Sequence, residues 1–219
     1  PKDHGFGMRR MPMETGYFEA YNRDNVELVS LLETPIERVT PTGVETSAAN
    51  YDFDVLVYAT GFDVMTGAFD KIDIKGVDGD RLKDKWIGSP TTYLGIMVHR
   101  FPNMLMVAGP QSVSGSTNYP RAIEVSVDWV TGLLTHARAT GVSRIEAQSA
   151  AETEWTKEVI EMQENMPFSK VKSWFTGYNS NIHARDAAPR YVAYWGGAPR
   201  YTKILNKVSS EGFADIQMD

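Results

Sequence analysis

The sequence predicts an α/β fold, and three observations carry that prediction. YDFDVLVYATG (51–61) centres on an apolar run without strict alternation, the pattern of a strand buried on both faces of a mostly parallel sheet. MLMVAG (104–109) repeats the pattern and runs into a polar loop, PQSVSGSTNYP (110–120). A long helix then opens near Pro120, where a missing amide costs little, and Ile123, Val127, Val130, Leu133 and Leu134 keep one side apolar to about Gly141.

The remaining elements follow in order. A short helix is expected around Phe18 and Tyr21, ended by the polar cluster at 22–25. VELVSL (26–31) reads as a strand. IERVTP and GVETSA flank a Pro41-Thr42-Gly43 turn and read as a β-hairpin, because Pro presets one turn dihedral and Gly permits another. Residues 62–103 are irregular. A second helix is expected from Ser149, with Glu152 three residues on completing a capping-box pattern, and ends before Pro167. RYVAYWGG (190–197) is strand-like, and a closing helix from 198 stops at Gly212. Composition shifts after Ala59-Thr60-Gly61, which divides residues 1–62 from residues 63–219 as parts of two domains.

Composition removes several function classes. The 219 residues carry 22 Lys and Arg against 28 Asp and Glu, a net charge of −6 that opposes nucleic-acid binding by phosphate neutralisation. No apolar run approaches the ~18 residues of a membrane span. The absence of cysteine excludes disulfides, a thiolate nucleophile and Cys-ligated metal. The sequence begins at Pro1 in a polar, Gly-containing stretch and reads as a piece of a larger chain; no targeting signal is evident, so a cytoplasmic location is expected.

Common catalytic signatures are missing: HExxH, GxSxG, GxxxxGK[ST], and GxGxxG opening a βαβ unit. His4, His99, His136 and His183 are scattered, without metal-ligand spacing. Two strand exits stand out instead. A buried strand ending in Ala59-Thr60-Gly61 brings small residues to the edge where α/β sheets place ligands; it is either an ordinary exit or a backbone approach to a dinucleotide. The loop 110–118 leads to a helix N-terminus whose free amides suit an anion or an electron-rich ring edge, against the plain reading of a Ser/Gly surface loop. Arg9-Arg10 is equally a solvated basic pair, and Trp174, among polar residues, equally a core aromatic.

Taken in order, GMRR (7–10), YFEAYNRDNVELV (17–29), DVLVYATGFD (54–63), TGAFDKIDIKG (66–76), W-x-x-x-P-x-T-Y-L-G (86–95), FPNMLMVAGPQSVSGSTN (101–118), SWFTG (173–177) and YWGGAPRY (194–201) resemble the C-terminal part of class B flavin monooxygenases of the Baeyer-Villiger type, such as the phenylacetone and cyclohexanone monooxygenases. The resemblance implies two Rossmann-like dinucleotide-binding domains, of which residues 1–62 would close the NADP domain and 63–219 the FAD domain. It implies FAD and NADPH as cofactors, a ketone and O2 as substrates, and the N-terminal part of the same protein as partner, with neither nucleic acid nor membrane. The reaction implied is conversion of ketones to esters or lactones through a C4a-peroxyflavin.

The resemblance also assigns residues. Arg10 matches the family's catalytic Arg, a fixed multi-donor cation suited to an oxyanion. Arg9 replaces a Lys beside the NADP ribose-phosphate. Trp174 matches an indole that hydrogen-bonds the nicotinamide cofactor, while Thr60, Gly61, Thr117 and Asn118 fall at cofactor-side positions. Ser114, Ser116 and Tyr119 match positions that shape the ketone pocket, where Ser116 and Tyr119 depart from the Leu and Met of the phenylacetone enzyme. No metal is implied. The rival readings are a class B enzyme oxygenating sulfur or nitrogen, a pyridine-nucleotide–flavin reductase that lacks its redox cysteines, and a non-catalytic domain.

Overall fold

The computed structural model describes residues 4–9, 11–63, 65–113, 117–179 and 187–219. They form a mixed α/β chain that divides into two compact units, residues 10–61 and residues 1–9 with 62–219. The division falls between Gly61 and Phe62, where Gly61 takes a left-handed φ of 83°. The first nine residues go with the larger unit, whereas the composition suggests a single stretch 1–62.

The smaller unit opens with the short helix α1 (Tyr17–Ala20) and continues into an antiparallel sheet of β1 (Ile36–Val39), β2 (Gly43–Thr46) and β3 (Asn50–Asp52) in that order. The Pro41–Gly43 turn folds as the sequence indicates, with Val39 opposite Val44 and Arg38 opposite Glu45, whose side chains pair. Gly43 is required by its neighbour, because a Cβ there would sit 1.8 Å from the Tyr51 carbonyl oxygen. Central β2 buries Val44 and Thr46.

Two expected strands are corrected. Residues 26–31 and residues 54–61 join no sheet among the described residues, although Phe53 still donates its N–H to the Thr42 carbonyl (2.8 Å). Val55 and Val57 are more than three-quarters exposed. A strand exists only where a neighbour supplies ladder bonds, and the described residues contain no such neighbour.

In the larger unit, α2 (Gly67–Asp70) and α3 (Leu82–Lys85) lead into a convoluted region, followed by α4 (Tyr119–Ala139), β4 (Ile145–Ala147), α5 (Ser149–Glu164), α6 (Ala198–Ser210) and β5 (Ile216–Met218). The three long helices form where the sequence places them, but the face expected for α4 is corrected: Ile123, Val127 and Leu134 are exposed, and Ala122, Ser126, Trp129, Leu133 and Ala137 are the buried stripe, because Trp129 rather than those aliphatic residues turns to the core. α4, α5 and α6 bury Trp129 and Leu133, Trp155 and Val159, and Tyr201 and Leu205 into one core over the antiparallel β4–β5 pair. Trp129 donates its indole N–H to the Leu205 carbonyl (3.1 Å), tying α4 to α6. A second core gathers Leu82, Trp86, Val98, Phe101 and Met106.

MLMVAG (104–109) forms no strand; Met106 N–H to the Ile96 carbonyl (2.8 Å) is its link to the chain turn at 93–97. RYVAYWGG also lacks a strand, yet Gln111 N–H bonds the Val192 carbonyl and Tyr194 N–H the Ser112 carbonyl. The capping-box expectation at Ser149 fails as well. Gln148 occupies the N-cap position without a side-chain cap bond, and Glu152 turns away into a buried polar network.

That network fixes the turn at 99–103. Glu152 accepts from the His99 amide (2.6 Å), Thr91 Oγ1 (3.1 Å) and Lys85 Nζ (2.7 Å). Glu146 accepts from the Arg100 amide (2.8 Å) and Arg144 (2.7 Å), with His99 Nδ1 at 3.3 Å. Burial opposes ionisation of Glu146, but the Arg144 guanidinium, the Arg100 amide and His99 together hold its carboxyl below the ordinary value. No helix among the described residues is long and apolar enough to cross a membrane, and no cluster of three or more His, Asp or Glu among them could hold a metal.

Candidate dinucleotide and substrate site

Three segments of the larger unit carry site residues. The first is the turn around Trp174. Residues Trp174–Thr176 form one tight helical turn, capped when Ser173 Oγ accepts from the Phe175 amide (3.2 Å) and Thr176 Oγ1 accepts from the Ser173 amide (3.1 Å). Gly177 closes it in the left-handed region at φ 64°. Phe175 packs against Trp195 and Phe168 with ring centroids 5.1 and 4.9 Å apart, and Thr176 is buried. These inward residues leave Trp174 facing outward, 54% exposed, with no hydrogen bond from its indole N–H among the described residues. The core reading of Trp174 is thereby excluded.

Arg9 belongs to the same neighbourhood. Its Nη2 lies 3.4 Å from the Lys172 carbonyl, two residues before Trp174. The segment 62–66 also meets this turn: Asn179 Nδ2 donates to the Phe62 carbonyl (2.8 Å), and Arg190 Nη2 donates to Thr66 Oγ1 (2.9 Å). Beside them, Asp63 Oδ1 is buried without a hydrogen-bond partner among the described residues. Gly67 is obligatory here, since a Cβ would lie 2.4 Å from Asp63 Cβ.

The third segment is the loop into α4. Its start is rigid. Gln111 is fully buried, and its Oε1 accepts from the Thr92 amide (3.0 Å), Thr92 Oγ1 (2.9 Å) and Thr156 Oγ1 (3.3 Å). Its Nε2 donates to the Pro90 carbonyl (2.7 Å). Gly95 takes φ 68°, and a Cβ there would lie 2.4 Å from the Ser112 amide nitrogen, so both conformation and space require glycine. At the far end, Asn118 is the N-cap of α4 and makes no side-chain cap bond, so the Tyr119 and Arg121 amides of the first turn are left uncapped, Pro120 having none. Thr117 is half-buried, while Asn118 and Tyr119 are exposed at this positive helix end.

Thus the structure sets Arg9 against the Lys172 carbonyl, two residues before Trp174, and places Thr117, Asn118 and Tyr119 at the opening of α4. Thr60 and Gly61 lie exposed at the end of the smaller unit. Arg10, Ser114 and Ser116 lie outside the described residues. Sequence reasoning missed Gln111, Asn179 and Arg190. A polar Gln directly after an apolar Ala-Gly exit was the available signal for the first; the other two announce themselves only through contacts distant in sequence.

No protein-family model matches the chain. Among known proteins, it is 38% identical over 218 residues to 2-oxo-Δ3-4,5,5-trimethylcyclopentenylacetyl-CoA monooxygenase of Pseudomonas putida, a match that covers all of this chain and 40% of the relative. It is 39% identical over 201 residues to a phenazine N-monooxygenase of Lysobacter antibioticus, covering 90% of this chain and 36% of that protein. The crystal structure of OTEMO in complex with FAD and NADP superposes with a TM-score of 0.90 at 37% identity, over all of this chain and 40% of that one. The chain therefore spans about two-fifths of the length of the relatives it matches. Sequence and fold agree over that span, and the chain belongs to the class B flavin monooxygenase family of the Baeyer-Villiger type.

Proposed function

We propose that the full-length protein carrying these residues is a cytoplasmic NADPH- and O2-dependent flavin monooxygenase that converts ketones to esters or lactones. In this reading residues 1–62 belong to the NADP domain and 63–219 to the FAD domain. The remaining part of the polypeptide supplies the other half of each domain and the strands that pair with 26–31 and 54–61. The observation that carries the reading is the Trp174 turn: a large aromatic held outward by a capped turn, its N–H unspent among the described residues, two residues after the carbonyl that Arg9 contacts. The cost of exposing an indole on so rigid a support is explained by a ligand that covers it.

The residues present fit the two cofactors. Uncapped first-turn amides of α4, with Thr117 and Asn118, suit the electron-rich edge of a flavin ring. The Trp174 N–H and the Arg9 guanidinium suit the carboxamide and phosphate groups of NADP. When bound, the flavin supplies activated oxygen from O2 after reduction by NADPH. This chain's residues then position and enclose. Arg10 holds a permanent charge toward the oxyanion that forms as the ketone carbonyl is attacked. Tyr119 borders the space beside the flavin and limits which ketones enter. Trp174 keeps the nicotinamide cofactor in place and helps exclude water.

A second reading, oxygenation at nitrogen, is favoured by the identity to a phenazine N-monooxygenase. One experiment separates the two. The full-length enzyme is assayed with cyclic ketones and with aromatic N-heterocycles, in wild type and Arg10→Ala. The ketone reading expects ester formation to fall roughly 10²–10³-fold in the variant with flavin retained. Efficient N-oxide formation that survives Arg10→Ala would establish the second reading instead.

A further inference from the structure

The Trp174 turn is only three residues long and its cap bonds are local. Three longer bonds tie it to the rest of the unit. Arg190 donates its backbone N–H to the Thr176 carbonyl (2.9 Å), inside the turn, and its guanidinium to Thr66 Oγ1 (2.9 Å). Asn179, two residues past Gly177, donates to the Phe62 carbonyl (2.8 Å). Thr66 is wholly buried, so the acceptor at the far end cannot drift. Arg190 is itself anchored, because buried Gln163 of α5 donates to its carbonyl (2.9 Å). Gly177 lets it approach: a Cβ there would come within 2.9 Å of Arg190 Cβ and 3.0 Å of Val192 Cγ1.

From this geometry we infer that Arg190, seconded by Asn179, is a positioning residue for Trp174. It clamps the Trp174 turn onto residues 62–66. The inference rests on the reading of Trp174 as a cofactor contact. The Arg190 guanidinium donates to Thr66 Oγ1, and its effect on the reaction passes through the position and orientation of the indole. A guanidinium suits the task, since its fixed fork loses little freedom per bond formed.

The test uses the full-length holoenzyme with Arg190→Met, Arg190→Lys and Thr66→Val. Thr66→Val removes the acceptor at nearly constant volume, and so keeps the test valid should Arg190→Met fold poorly. Two quantities are read: hydrogen exchange of peptides covering 171–179, and the partition of consumed NADPH between oxygenated product and hydrogen peroxide. Arg190→Met and Thr66→Val should speed exchange in that segment roughly tenfold while α4–α6 stay protected. Peroxide should rise in parallel at unchanged flavin content, and Arg190→Lys should recover part of the coupling. In a Trp174→Phe background, Arg190→Met should add no further peroxide. Unchanged exchange in both variants overturns the clamp. Faster exchange with an unchanged product-to-peroxide ratio overturns the proposal from the other side, by showing that Trp174 is not the cofactor contact it serves.

Discussion

Arg9 and Lys172, 163 residues apart in the chain, meet where the Arg9 guanidinium reaches the Lys172 carbonyl at 3.4 Å. The bond is long and exposed, so it contributes little to stability. Its value is positional, since it parks a cation two residues from Trp174. Arg9→Gln should leave the melting temperature within about 2 °C of wild type, because exposed pairs contribute only ~0–1 kcal/mol. The same variant should raise KM for NADPH about tenfold and that for NADH hardly at all, as expected for one lost charge-assisted phosphate contact of roughly 1.4 kcal/mol. Steady-state kinetics with both nucleotides check this. Equal losses for the two would remove Arg9 from the phosphate side.

Gln111 is a structural prediction. Gln111→Leu is close to isosteric but abandons the Thr92 amide, the Thr92 and Thr156 hydroxyls and the Pro90 carbonyl. The expected cost is about 2–4 kcal/mol, from stranding more than one buried polar group. Urea unfolding should show a lower midpoint at unchanged slope. FAD retention should fall too, because the loop from 110 delivers α4's N-terminus to its place.

Glu146 gives a pH signature. Its folded carboxyl titrates below the ordinary 4.5, so its contribution is complete above that value and disappears as pH falls through the lower folded value. Glu146→Gln should therefore cost about 1–3 kcal/mol at pH 7, where the Arg144 and Arg100 donors face a weaker acceptor. The gap between variant and wild type should narrow as pH falls below 4.5. Denaturation midpoints taken from pH 3 to pH 7 test this, and a gap independent of pH would show that packing alone is lost.

Tyr119 stands exposed in the first turn of α4. Tyr119→Ala should change kcat/KM between bulky and small ketones by roughly 10–200-fold, the range expected for methylene-sized mismatches. NADPH oxidation without ketone should stay the same. A uniform loss on every ketone would place Tyr119 in the cofactor site rather than the substrate pocket.

What the sequence disclosed depended on the range of each signal. The Pro41–Gly43 turn and the Gly212 stop are local chemistry, and the structure shows them at the expected places, whereas α4 buries Ala122, Ser126, Trp129, Leu133 and Ala137 and leaves the expected Ile123, Val127 and Leu134 exposed. DVLVYATG carried an equally clear strand pattern, but a ladder needs a second chain segment and none pairs with it here. Glu152 shows the opposite failure. Its spacing from Ser149 matched a local cap, while the side chain was drawn instead to the His99 amide, 53 residues away. Of the site, Trp174 and the opening of α4 were legible because their motifs are contiguous. Arg190 and Asn179 were not, since nothing near them in sequence hints at Thr66 or Phe62.

The uncovered stretch around Val55 and Val57 has a practical consequence. It is apolar and β-branched, lacks proline and lysine, and joins no sheet among the described residues, so in isolation it is a template for edge-to-edge association. The shelf life of this polypeptide at high concentration is then governed by colloid chemistry before heat or urea matters.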